Sequence, residues 1–163
     1  MTLYNVSGCK FYVGDAVITA DPESLSSSDF SSVTWTEVKG WQSMGELGNE
    51  ATVTSTELIN SSIVRKTVGP IDAGNYENTF AEMGADAGQI AMKALVGLNA
   101  NYPFKVEYND DPNDGETSAP SMTLIAGKVY SSRRVGGEAA AVRMRRFNVA
   151  VENKVEVAAV SGA

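Results

Sequence analysis

Along most of this chain the apolar residues recur at every second position, and that period decides what it can fold into. In 102–108, Tyr102, Phe104, Val106 and Tyr108 point to one side while Lys105 and Glu107 point to the other, the pattern of a half-buried strand. Residues 33–41 carry Val33, Trp35 and Val38, and 50–57 set Thr52, Thr54 and Thr56 against Ala51, Val53 and Ser55. Further strands are expected at 75–81, 121–131 and 140–158. In the last, Val142 and Met144 share one parity and Phe147, Val149 and Val151 the other, so a β-bulge or a bend is expected at Arg145–Arg146.

One segment breaks the period. Asp86–Asn99 has Ile90, Ala91, Ala94, Leu95 and Leu98 at helical spacings. Asp86 can accept hydrogen bonds from free N–H groups at the start, Gln89 follows as in a capping box, and Gly97 and Asn99 mark the end. Many strands with one helix predict an antiparallel β-sandwich with a flanking α-helix. At 163 residues there is room for one domain with its own core, broken by a polar loop at 21–32 and an acidic loop at 109–120. Residues 159–163 read as a flexible tail.

Chemistry is scarce. There is no histidine, which removes the commonest general base and metal ligand, and the single Cys9 permits no internal disulfide. The loop at 109–120 fails as a calcium site, because Pro112 or Gly115 falls on a ligand position in either register. No Gly-Lys-Ser/Thr follows the glycines at 40–48, so they form no phosphate loop. Some pairing among 20 acids is expected by chance and does not argue for a glycosidase. A net charge of −7 disfavours a general nucleic-acid binder. No basic segment with an apolar run opens the chain and no apolar stretch is long enough for a membrane span, so neither secretion nor a membrane is expected. No enzyme activity and no cofactor are expected.

Two features point elsewhere. Arg133, Arg134, Arg143, Arg145 and Arg146 fall within 14 positions, and residues 133–163 hold 6 bases and 3 acids where 1–132 hold 7 and 17. The cluster reads as a solvated face balanced within the monomer, as a nucleic-acid patch, or as subunit-interface charges meeting a copy's negative face. Between two strands, Leu58, Ile59, Ile63 and Val64 lie beside Asn60, Ser61, Ser62, Arg65 and Lys66. Those apolar side chains either tuck under their own domain or form a patch for a protein partner.

The order of several motifs resembles siphophage tail tube proteins. "YVGDAVITA", a polar loop and "TWTEVKGWQSMGELGNEATVTSTEL" look like the opening of that family. "IVRKTVGPIDAGNYENTF" carries its Gly-x-x-Asp-x-Gly turn at Gly69, Asp72 and Gly74, and Asp86, Gly88 and Gln89 match its helix start. The match covers roughly 10–108, and the loops at 21–32 and 109–120 depart from it. The resemblance implies six copies in a ring whose inward sheets merge into one β-barrel. Rings stack into a virion tail tube around a tape-measure protein, between tail-tip and tail-terminator proteins, after synthesis in the host cytoplasm. Phage DNA then passes without specific binding. Residues 58–66 would correspond to the inter-ring stacking loop, and Glu50, Glu57 and Glu77 are candidate lumen acids. Three other readings stay open: a tube protein of a contractile or secretion-type injector, a head–tail joining or terminator ring, and a carbohydrate-binding or hydrolytic sandwich. Trp35 is expected to anchor the core. Gly45 and Gly48 are expected to let the chain turn sharply into Ala51–Thr56, where backbones of neighbouring subunits would approach closely.

Overall fold

The computed structural model describes residues 3–162. The strands are β1 (Lys10–Gly14), β2 (Trp35–Glu37), β3 (Trp41–Ser43), β4 (Glu50–Thr56), β5 (Arg65–Asp72), β6 (Asn75–Ala81), β7 (Tyr102–Glu107), β8 (Met122–Val135) and β9 (Met144–Val157), with one helix, α1 (Ala87–Ala94). Seven form one sheet in the order β2-β1-β7-β8-β9-β6-β3, while β4 and β5 pair only with each other. Every pairing is antiparallel. The expected mostly-β fold with one flanking helix is what the chain adopts.

The predicted strand at 33–41 is two short strands, and they lie on opposite edges of the same sheet. In a flat sheet six spacings of about 4.8 Å would hold those edges about 29 Å apart. The chain from Glu37 to Trp41 reaches at most about 14 Å. The sheet must therefore curl until its edges nearly meet, and its two halves face each other as a sandwich. Val38 N–H donates to the Phe11 carbonyl of β1, and Ala81 N–H of β6 donates to the Gly40 carbonyl, so the link bonds to both sides of the seam. Inside, Phe11 meets Trp41, Phe80 and Tyr76 with ring centroids 5.6, 5.7 and 6.3 Å apart.

Helix α1 seals this seam. Gln89 is fully buried, and its amide donates to the carbonyls of Lys39 (2.8 Å) and Ala81 (2.7 Å) and accepts from Met83 N–H. Asp86 accepts from Gln89 N–H, as expected of an N-cap, and also from Lys39 N–H. The reciprocal half of the capping box is absent, because the Gln89 side chain is spent on the seam. A Cβ on Gly88 would lie 2.2 Å from the Glu37 carbonyl oxygen, so only glycine lets the helix sit this close. The helix is shorter than 86–99, and its buried face is Gly88, Gln89 and Met92 flanked by Ala91 and Leu95. Ile90 and Leu98, expected inward, are exposed.

A second apolar cluster lies on the outer face. Ile18, Phe30, Leu124 and Ala126 are buried with Trp35 packed against them. Trp35 thus stacks on Phe30 (6.4 Å) rather than anchoring the main core, since Thr36 takes the inward position opposite Val13. The polar segment 21–32 forms two 3-10 turns, Pro22–Ser24 and Ser27–Phe30, that carry Phe30 to this site.

Other expectations need correction. The bulge at Arg145–Arg146 is absent: pairing runs without a break through both residues, and the β8–β9 register shifts at Ala126/Gly127 and Val129/Ser131. Val142 lies in the turn before β9, so the apparent phase change was never within one strand. A Cβ on Gly45 would lie 2.0 Å from the Glu77 carbonyl oxygen, so glycine lets this link pack on β6, whereas a Cβ on Gly48 would meet nothing within 4 Å. Val160 pairs with Ala119 and Asp114 accepts from Gly162 N–H (2.6 Å), which ties residues 160–162 to the acidic loop; residue 163, the end of the expected flexible tail, lies outside the described residues.

Candidate assembly surfaces

The arm made by β4 and β5 has two unlike faces. Register places Ala51 opposite Ile71 and Val53 opposite Val68, while Thr54 faces Thr67 and Glu50 faces Asp72. The first set makes an apolar face and the second a polar one, because side chains alternate along a strand. A register shift between Ala51 and Val53 accommodates Gly69 and Pro70, and Pro is tolerated at such a bulge on an edge strand.

Among the described residues nothing covers the apolar face. Val53, Val68 and Ile71 are 55, 67 and 69% exposed. At the tip Leu58, Ile59, Ile63 and Val64 are exposed as well, while Ser61 Oγ accepts from Ile63 N–H in a local turn. Arg65 and Lys66 belong to β5, opposite Thr56 and Ser55, so the connecting loop is shorter than 58–66. Asn60, Ser61 and Ser62 remain in it. Burying each such Val or Ile side chain is worth about 1.5–3 kcal/mol. A lone two-stranded hairpin is marginal in water, and its outer edges offer unpaired backbone groups. The arm can therefore donate both backbone hydrogen bonds and apolar area to a second surface.

The candidate acids are spread over β4 and β6. Glu50 and Glu57 lie at opposite ends of β4, roughly 20 Å apart along the strand. Glu77 points outward from β6 and accepts an ion pair from Arg146 (3.3 Å), which offsets its charge.

The arginine cluster divides in a way that spacing alone does not show. Glu82 Oε1 pairs with Arg145 (2.9 Å) and Arg134 (3.0 Å), and its Oε2 lies 3.7 Å from Arg143. Hydrogen bonds from Arg145 and Arg134 hold the Glu82 carboxyl down at about 2. Arg145 also donates to Ser132 Oγ (2.8 Å). Arg133 has no acidic partner among the described residues. Two carboxylates, Glu82 and Glu77, thus pair with four of the five arginines at one end of β8 and β9, which leaves the cluster net positive. Among the described residues no group of three or more His, Cys, Asp or Glu side chains could hold a metal ion.

No family model matches the chain, and no curated protein matches it. Solved structures do. A chain of the anti-feeding prophage baseplate superposes with a TM-score of 0.66 at 10% identity, covering 97% of this chain and 98% of that one. A chain from the sheath/tube terminator of the PVC extracellular contractile injection system gives 0.66 at 10% identity, covering 97 and 99%. The SPP1 tail tube gives 0.59 at 13% identity, covering 94 and 80%. The chain has the tail-tube fold. Contractile-system and SPP1 structures both match, so the likeness establishes this tail-tube fold broadly and does not single out siphophages.

Proposed function

We propose that the protein is a structural subunit that self-associates into hexameric rings stacked as a siphophage tail tube, the conduit for genome ejection. The observation that carries the reading is the arm: a hairpin with free edges and a bare apolar face, on a chain of tail-tube fold. A neighbouring copy would cover that face and pair with those edges, and closure of the ring would remove the edges altogether. The inward sheets then join as one continuous β-barrel. Residues 58–66 at the arm's tip serve stacking between rings. The lumen holds a tape-measure protein, tail-terminator and tail-tip proteins close the ends, and DNA passes without specific binding. The siphophage assignment rests on the order of motifs from "YVGDAVITA" to "DAGQIAMKAL".

A second reading has its own support. The baseplate and terminator components of contractile systems superpose on nearly the whole chain, which fits a tube that carries an outer sheath or a ring that stops at one layer. Negative-stain microscopy of the purified protein separates these. Long naked tubes support the siphophage reading, single rings support a terminator, and featureless monomers at high concentration overturn self-assembly.

A further inference from the structure

The two long strands β8 and β9 separate opposite charges. Residues 109–120, at the end where β8 begins and β9 finishes, carry Asp110, Asp111, Asp114 and Glu116 and no cation. None of the four makes an ion pair among the described residues. The other end, roughly 43 Å away along the strand path, is the β8–β9 turn, where among the described residues five arginines pair only with Glu77 and Glu82. Arg133 has no acidic partner there among the described residues, and Arg134 and Arg143 keep 68 and 77% of their side chains exposed while sharing Glu82. An open groove of about 780 Å3 lies beside this turn, lined by Arg133, Arg134, Arg146 and Tyr130.

We propose that the acidic loop of one copy docks on the arginine end of the next, as the end-to-end contact between successive copies; this rests on the self-assembling reading above. The distance along the strands prevents the two ends from meeting within one chain. Unlike ends joined in this way make a heterologous contact, which runs on as a filament rather than closing as a dimer. The loop is also held in place for the purpose. Asp110 accepts from Ser121 N–H (2.8 Å) and Oγ, and Asp114 is tied to residues 161 and 162, so the strand pair fixes where its charges stand.

The test exchanges the charges. One variant carries Asp111→Lys with Glu116→Lys, a second Arg133→Glu with Arg143→Glu, and a third all four changes; Glu116→Lys and Arg133→Glu alone stand in should either pair impair folding. Sedimentable polymer is measured at 0.15 M and at 1 M salt, with circular dichroism of the soluble fraction as the folding check. Each single-end reversal should lower polymer about tenfold at 0.15 M salt, where charges act across about 8 Å, and less at 1 M. The third variant should recover, because its ends are again complementary. If the wild type polymerises and the reversed variants match it, or if the third variant is no better than the first two, the docking is wrong. If the wild type forms no polymer under any condition, the self-assembling reading fails first and this inference with it.

Discussion

Gln89 donates from its side-chain amide to the carbonyl of Lys39 at 2.8 Å, joining α1 to the link between the two edges of the sheet. Because the same amide also serves Ala81 and Met83, three backbone groups depend on it. Gln89→Ala should destabilise the monomer by about 2–4 kcal/mol, since three partly buried hydrogen bonds are lost at about 0.5–1.5 kcal/mol each. Urea unfolding of dilute protein measures this. A change below about 0.5 kcal/mol would show that water replaces the amide at no cost.

Glu82 gives the fold a signature in acid. Its carboxyl titrates at about 2 when folded, against an ordinary value of 4.5, so its arginine partners stabilise the native state fully above pH 4.5. That contribution fades as pH falls from 4.5 through 2. Glu82→Gln should lower the melting temperature at pH 7, and the gap from wild type should narrow between pH 4.5 and 2. A gap that stays constant over that window would sink the account.

Replacing Ile63 and Val64 with Asp should leave the body folded, because both side chains are exposed in the monomer. Stability by urea should move by no more than about 0.5 kcal/mol. Tubes should disappear. Full-length tubes in micrographs of this variant would remove the arm's tip from the stacking contact.

Reversing Glu50, Glu57 and Glu77 to Lys should slow or block ejection while tubes still form, if these acids repel passing phosphates. Reversal at Glu77 alone should matter least, since Arg146 already offsets it. Ejection kinetics of reconstituted particles decide this, and normal kinetics at physiological salt count against an acidic lumen.

The sequence announced what depends on neighbours along the chain and hid what depends on distant ones. Tyr102–Glu107 was legible because alternation alone marks a strand with one wetter face. Strand β5 was not, for Gly69 and Pro70 break its pattern and the register shift that absorbs them requires β4. Trp35 was read as core because large aromatics usually are. Its cover, Phe30, sits in a serine-rich stretch that composition marks as loop. Of the candidate surfaces, the arm's tip stood out as apolar residues where polar ones are usual. The split of the arginines did not, since Glu82 lies 52 and 63 residues from Arg134 and Arg145.

The separate pairing of β4 and β5 has a consequence for the order of events on the ribosome. The arm needs only its own residues, and a hairpin closes within about 1–10 µs. The seven-stranded sheet must wait, for Phe11 pairs with Val106 and β6 pairs with β9, and chains emerge at about 5–20 residues per second. We therefore expect each nascent chain to expose the arm's apolar residues, in a hairpin that forms and opens by itself, for several seconds before it has a body. Neighbouring ribosomes on one message would bring such arms close together.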